Sequence, residues 1–374
     1  MRFIALKTVF IFVALCNSNV NAQEQQYWKK ILPATGADTC MAHLDSAELS
    51  RQAYLIAYGN RNNRMSWSIA EYIDSTKVNR VVQNFLSRSE DGTAAMKSLE
   101  PAFQPYQQLR NEVAALLELK ADTLIDWNLI RHAFNEYRLM NRAAGQMIVQ
   151  VNIPSATLRV LDKAGNILLE CPVIVGTAST PTPAFGAYLT RIITYPYWNV
   201  PRSIAVKEFL PKIKRNPSGF LNDMKLQVLN AKGVVIAPEN IDWKTVSAKN
   251  FPYRLRQSTG CDNALGLIKF DLNSPYDVYL HDTNHREFFA RDYRFLSHGC
   301  IRVAQPVKLA NLLMQRDFLP DTFTGERYYN IGSKIFPLPA PVPIIITYAT
   351  VEAGPGSGLH VYKDIYNHIQ SAHP

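Results

Sequence analysis

The chain has 374 residues, 47% of them hydrophobic, with 40 Lys and Arg against 31 Asp and Glu and a formal net charge of +9. This balance excludes intrinsic disorder, collagen and coiled coil as descriptions of the whole chain, and the length allows two or three domains. Five cysteines are too few for a miniprotein built on disulfides, and a chain this long can bury its own cores.

The N-terminus sets the expected compartment. Arg2 and Lys7 supply positive charge, Val9 to Leu15 is a short apolar run, and Val20-Asn21-Ala22 fits a cleavage site before Gln23. Residues 1–22 therefore read as a secretory signal peptide, too short for the ~18 apolar residues of a membrane span. Leu15 ahead of Cys16 argues against a lipid anchor. The expected location is outside the cytoplasm, in the periplasm or cell envelope. Residues 1–22 hold two basic and no acidic residues, so cleavage lowers the net charge to +7. That excess reads as spread along the chain without a Lys/Arg run. It suits an anionic envelope surface, an acidic substrate or plain solubility, and nothing argues for nucleic acid. Cys40, Cys171, Cys261 and Cys300 remain after cleavage, with no CxxC among them.

Residues 23–145 read as a helical scaffold domain. Leu124, Trp127, Ile130, Phe134, Tyr137 and Met140 recur at steps of three and four, as an amphipathic helix requires. Residues 105–119 repeat the pattern with Pro105 in the first turn, and Val78 to Leu86 is a third helical segment. The character changes near Gln146. Met147 to Ile153 is β-rich, and Thr157 to Leu161 and Ile167 to Val175 flank a turn at Asp162 to Asn166, a hairpin signal. Further β-like runs are Val234 to Ile236, Leu267 to Phe270, Val278 to His281 and Val342 to Tyr348. One helix, Pro306 to Arg316, starts on Pro and turns Leu309, Leu312 and Leu313 inward. The mixed stretch at about 200–260 reads as an inserted lobe or long loop and a candidate lid. Residues 354–358 read as a flexible joint. The expected domains are thus 23–145, 146–353 with the inserted lobe, and a tail at 354–374.

The chemistry concentrates in Ser297-His298-Gly299-Cys300-Ile301-Arg302, preceded by Tyr279-Leu280-His281-Asp282. A thiolate attacks carbonyls well, and a neighbouring imidazole can take the thiol proton and hold the pair as thiolate and imidazolium. His281 ends an apolar β-like run, which fixes its backbone. Gly299 lets the chain bend so that successive N–H groups converge into an oxyanion hole. His285, four residues after His281, invites a metal reading. A strand-like run does not bring residues four apart onto one face, and HDTNH lacks a zincin glutamate, so no metal is expected.

His281, fifteen residues, then the SHGCIR hexapeptide resembles the signature of the L,D-transpeptidases of bacterial peptidoglycan, the YkuD-type catalytic domain. Val151 to Pro154, Ile174-Val175-Gly176, Thr182-Pro183, Trp198-Asn199-Val200-Pro201, Asn263 to Gly266, Tyr279 to Thr283 and Asp364-Ile365-Tyr366 are similar to the large YcbB-like branch, so the resemblance covers roughly 125–367. It implies an α+β protein: a mostly β catalytic domain with an inserted lid lobe, preceded by an α-helical domain. It implies a cysteine enzyme that acylates itself with a stem tetrapeptide, releases the terminal D-alanine and passes the acyl group to a side-chain amine of a second stem. Carried over by position, Cys300 is the nucleophile and His281 the general base. Ser297, His298, Gly299 and Cys300 form the oxyanion-hole turn, with amides from the last three, and a backbone carbonyl in that turn orients the histidine. Arg302 braces the turn or meets a substrate carboxylate, and Tyr279 and Trp198 line the groove or pack in the core. The family implies peptidoglycan stems as partners, covalent inhibition by carbapenems and no cofactor. Water or a protein amine as acceptor, or a dead wall-binding module, are the other readings. The sequence departs from the branch in lacking a recognisable peptidoglycan-binding module and in placing Cys261, often Pro there, before Asp262. A disulfide from Cys261 to Cys40 or Cys171 is conceivable.

Overall fold

The computed structural model describes residues 46–369, apart from 62–64, 88–95, 120–125, 144, 325–330, 355 and 357. The segment expected as a signal peptide, Cys40 and Leu124 lie outside the described residues. In chain order the elements are α1 (Ser46–Tyr58), β1 (Ser66–Trp67), α2 (Ser75–Ser87), α3 (Gln104–Glu118), α4 (Trp127–Met140), β2 (Ile148–Asn152), β3 (Thr157–Leu161), β4 (Ile167–Gly176) and β5 (Phe185–Thr194). There follow β6 (Trp198–Asn199), α5 (Arg202–Ile204), a π-helical stretch at Ala205–Phe209, α6 (Leu210–Arg215), α7 (Pro217–Asp223), β7 (Leu226–Leu229), β8 (Val235–Ile236) and β9 (Arg254–Gln257). The chain ends with β10 (Ile268–Leu272), β11 (Leu280–His281), β12 (Phe295–Ser297), β13 (Ile301–Val303), α8 (Pro306–Met314), β14 (Lys334–Thr347), β15 (Val351–Ala353) and β16 (Leu359–Val361). This is the expected α+β class, with helices α1–α4 ahead of a strand-rich region. No helix among the described residues is long and apolar enough to cross a membrane.

The chain divides into two compact units, one drawn from residues up to Glu170, Pro183–Tyr188 and Pro343 onward, the other from Cys171–Thr182 and Leu189–Val342. In the first unit the helices bury the positions their periodicity selects. Ile130, Phe134, Tyr137 and Met140 of α4 are buried, and Tyr106 meets Phe134 and Tyr137 edge-on, with ring centroids 5.2 and 6.4 Å apart. Asp126 caps α4 by accepting the Asn128 N–H at 2.9 Å, which satisfies one of the free donors at a helix start. β2 pairs antiparallel with β3 and parallel with β14. Glu352 is buried there but not alone: Arg159 grips both of its oxygens, at 2.6 and 3.1 Å, and Tyr137 and Asn152 donate to it. Of the segment expected as a joint, 355 and 357 lie outside the described residues; β15 and β16 on either side pair antiparallel, and Gly354 N–H donates to Gly358 O at 2.8 Å.

The second unit carries a sheet in which β5, β10 and β11 are antiparallel neighbours, β11 and β13 run parallel, and β13 is antiparallel to β4. The stretch at 200–260 is a folded lobe rather than a long loop. Its four strands order as β6-β9-β7-β8, and Ile213, Leu221, Val228, Trp243 and Leu255 fill a core of its own. The expectation that positive charge is spread along the chain is corrected here. Residues 201–260 contain eleven Lys and Arg and four Asp and Glu, whereas residues 23–200 and 261–374 together hold twenty-seven of each. The net +7 of the chain after residue 22 therefore resides in the lobe.

Two local readings also shift. Val278 and Tyr279 precede the strand, which is only Leu280–His281. β14 extends eight residues further toward the N-terminus than the apolar run from Val342 suggested, through a segment with proline at 337, 339, 341 and 343. Proline removes a strand donor, but at every second position it removes donors from one edge only.

Candidate active site

The register of three neighbouring strands assembles the site. His281 is level with Lys269 on β10 and with Arg302 on β13. Partners in register share a face of the sheet, so His281 and Arg302 do, and Cys300 immediately precedes β13. The nucleophile candidate and the base candidate thus belong to neighbouring chain segments. Ile301 N–H donates to Tyr279 O at 3.0 Å, which puts Cys300 beside Tyr279.

The turn that presents Cys300 is tightly held. Gly299 has φ +110°, in the region that favours glycine. Ser297 Oγ donates to Cys300 O at 2.5 Å and accepts the Gly299 N–H at 3.1 Å. The Gly299 amide is therefore engaged inside the turn and is not offered to a ligand, which corrects its expected place among the oxyanion donors. Outside the turn, the buried Thr182 hydroxyl donates to Gly299 O at 2.8 Å and accepts Gly176 N–H at 2.9 Å. Thr180 Oγ1 and Thr177 N–H both reach Ser297 O, at 3.1 and 3.0 Å. The 177–182 loop, known from sequence only through Thr182-Pro183, is the buttress of the turn.

His281 is buried, with Nδ1 2.5 Å from the carbonyl oxygen of Asp282. A carbonyl only accepts, so Nδ1 carries a proton. The Leu265 carbonyl is a second backbone partner of the ring, and both lie outside the Ser297–Arg302 turn. Burial, then the Arg302 charge, with Lys269 adding to it, push the His281 pKa down to about 3. Asp282 in turn donates nothing to the ring: its carboxylate receives Arg286 at 2.6 Å and Leu267 N–H at 3.1 Å. Gly266, at φ +61°, packs so closely on that carboxylate that a Cβ would collide with it.

Burial pushes the Cys300 thiol up, against donation to the sulfur by the Tyr279 N–H and hydroxyl and the charges of Lys269 and Arg302. The Tyr279 hydroxyl is itself raised by burial and is hydrogen-bonded to Trp198. The thiol itself lies 3.8 Å from the Asp277 carbonyl oxygen, to which it can donate. Burial thus disfavours the charged form of both the thiol and the imidazole.

The remaining site residues fall as follows. Arg302 is half-buried, its Nε makes no hydrogen bond, and burial lowers its pKa, so it does not brace the turn through that atom. The exposed His298 side chain leaves the sheet and meets Glu208 of the π-helical stretch, Nε2 to Oε1, at 2.8 Å. Cys261 carries a free thiol, 3.6 Å from Asp262 Oδ1, and among the described residues it makes no disulfide with Cys171. His285 lies 3.1 Å from Glu287 and stacks on Phe288. Lys269 and Glu208 had no signal in the sequence, because their relation to the site is set by strand register and by the packing of the lobe.

A family model described as the L,D-transpeptidase catalytic domain, YkuD, matches residues 146–341. A Haemophilus influenzae protein named "Putative L,D-transpeptidase" is 31% identical over 312 residues, which is 82% of this chain and 62% of that protein. The chain thus spans about three fifths of that relative's length. Among solved structures, an L,D-transpeptidase from Mycobacterium smegmatis aligns at 15% identity over 54% of this chain and 58% of that one, with a TM-score of 0.24. The catalytic domain of an Enterococcus faecium L,D-transpeptidase, acylated by ertapenem, aligns at 12% identity over 54% of this chain and 96% of that one, with a TM-score of 0.25.

Proposed function

We propose, from the premise that this chain belongs to the YkuD family of L,D-transpeptidase catalytic domains, that it cross-links peptidoglycan stem peptides through a thioester on Cys300. The observation that supports the reading is the pairing of β11 with β13, which makes His281 level with Arg302, two residues after Cys300, together with a buried histidine whose Nδ1 meets Asp282 O. The reading extends to the large YcbB-like branch, on the motifs spread over 125–367, and to an exported protein acting in the periplasm or cell envelope. Residues 23–145 act as a scaffold for the catalytic part at 146–353.

The steps follow from the protonation states. His281 Nε2 removes the Cys300 proton as sulfur attacks the carbonyl of a donor stem, so charge separates only in the transition state. The Cys300 and His298 amides support the oxyanion, since Gly299 N–H is engaged by Ser297. The C–N bond breaks, His281 returns its proton to the leaving D-alanine amine, and a thioester remains. An acceptor amine then attacks the thioester, its proton passes to His281 and on to the departing sulfur, and a new amide forms. Tyr279, donating to sulfur, stabilises the thiolate that leaves in this second half. With water as acceptor, the same centre gives an L,D-carboxypeptidase; with a protein amine, it attaches or releases envelope proteins. A carbapenem carbonyl takes the place of the donor stem and leaves a stable adduct on Cys300.

Purified protein incubated with tetrapeptide stems, followed by mass spectrometry, tests this. Stem dimers with loss of D-alanine are expected, and none from Cys300→Ala. Hydrolysed tripeptide alone would move the assignment to the carboxypeptidase, and no turnover with retained binding would reject an enzyme.

A further inference from the structure

The lobe at 200–260 concentrates the charge of the molecule, and its construction separates that charge from folding. Apart from Arg256, which is half-buried, every one of its lysines and arginines is exposed. Lys225 pairs with Asp262. Lys207, Lys212, Lys214, Arg215, Lys244 and Lys249 have no ion pair among the described residues. The apolar side chains of the lobe are spent on its own core. Only Val234 and Val235, at a hairpin tip, are large, apolar and well exposed in it. A positive surface of this kind attracts polyanions over about a Debye length, roughly 10 Å at 0.1 M salt. Insertion into a lipid surface needs a broad apolar face as well, and the lobe does not offer one.

The lobe is also tied to the chemistry. Glu208 holds His298, two residues before Cys300, and the π-helical stretch that carries Glu208 interrupts an otherwise helical run between Arg202 and Arg215. Such bulges frequently mark functional positions. Trp198 of β6 packs edge-on against Phe209, centroids 6.0 Å apart. The lobe is therefore joined to the turn that carries Cys300 through Glu208 and His298.

We infer that the lobe is the electrostatic docking surface for the polymer substrate, recruiting a peptide-bearing glycan through its free carboxylates. This rests on the function proposed above and adds to it where the substrate is gripped. The lobe binds many carboxylates weakly and without fixed geometry, as exposed lysines do, while the Cys300 face selects the bond.

Binding to purified peptidoglycan sacculi tests it, measured by co-sedimentation of the full chain carrying Cys300→Ala, so that no turnover alters the polymer. Lys212→Gln, Lys214→Gln, Arg215→Gln, Lys244→Gln and Lys249→Gln together are expected to weaken binding at least tenfold at 50 mM salt and to abolish most of its salt dependence. Five matched changes outside the lobe, at Lys77, Lys163, Lys308, Arg316 and Lys334, are expected to weaken it less than twofold. Sacculi with amidated carboxylates should bind the unchanged lobe at least tenfold less. Equal losses from both sets, full binding to amidated sacculi, or binding confined to phosphatidylglycerol vesicles would overturn the inference. Cross-linking of soluble stems is read separately: if it persists while lobe-dependent binding is absent, docking alone fails, and the converse removes the reaction alone.

Discussion

Ser297 Oγ donates to the carbonyl oxygen of Cys300 at 2.5 Å, closing the turn that presents the sulfur. The same oxygen takes up the Gly299 N–H. Ser297→Ala removes both bonds, strands a buried donor and frees an amide to point elsewhere. Leaving a buried polar group unpaired costs about 1–3 kcal/mol, and a turn displaced by a fraction of an ångström aims the sulfur poorly. Single-turnover acylation of Cys300 by a carbapenem, followed by intact mass, is expected to slow at least tenfold. A rate equal to the unchanged protein would show that the turn is set by the 177–182 loop alone.

A second expectation concerns acid. His281 is held near pKa 3 by burial and neighbouring positive charge, against about 6.5 in an unfolded chain. Between those values the unfolded state binds the proton and the folded state does not. Stability therefore falls as pH drops from about 6.5 toward 3 and is unaffected by this group above 7. One pKa unit corresponds to about 1.4 kcal/mol, so the loss attributable to His281 is about 2 kcal/mol at pH 5. His281→Gln should flatten the stability curve over that window by about this amount in denaturant titrations. An unchanged pH slope would mean that the ring is charged in the native protein.

What the sequence made legible was local. The hairpin of β3 and β4 was visible because Asp162 closes its turn within four residues, accepting the N–H groups of Ala164 and Asn166 at 2.8 Å each. Helices α3 and α4 were visible because buried positions recur at the helical period. α8 was legible too, although Leu312 is only half-buried while Leu309 and Leu313 are fully so. The SHGC turn carries its own chemistry in sequence. What could not be read was set across strands. The row Lys269, His281, Arg302 exists only through register, and no spacing along the chain betrays it. β14 was cut short because proline usually argues against a strand, and the lobe was left open because its core joins residues from Val200 to Leu255.

Reactivity of the thiol offers a third test. Burial raises Cys300 and His281 is neutral at ordinary pH, so little thiolate is present at rest. Alkylation of Cys300 by iodoacetamide, read on its own peptide to separate it from Cys261, should rise with pH through 9 and beyond. A thiolate–imidazolium pair would instead give a fast plateau between pH 5 and 7. Tyr279→Phe, which removes a hydroxyl that lowers the thiol pKa, should move the rise to higher pH still.

Thr182 tests the buttress. Its hydroxyl is fully buried and joins the Gly299 carbonyl to the Gly176 amide. Thr182→Val keeps the volume and removes the hydroxyl that bonds both groups. A loss of about 1–3 kcal/mol in unfolding free energy is expected, together with slower Cys300 acylation. Thr182→Ser, which keeps the hydroxyl, should restore most of the rate, whereas a purely space-filling residue would be rescued by Val and not by Ser.

Lys269 sets how neutral the base is. Its ammonium lies 2.7 Å from Asp271 Oδ1 and 4.2 Å from the centre of the Tyr279 ring, on the strand next to His281. Asp271 keeps a second cation, Arg191, at 2.8 Å, so removing Lys269 does not strand that carboxylate. Lys269→Met takes away one of the two positive neighbours of the imidazole while burial, the larger cause, stays. The His281 pKa, followed by its ring NMR signals, should rise above 3 yet remain below 6.5. Arg302→Met should raise it further, because the Arg302 charge weighs more. The two changes together should carry the ring closest to ordinary histidine and bring an acid limb into the acylation rate between pH 5 and 7. If neither change moves the titration, burial alone sets the imidazole, and the row of charges has no part in the base.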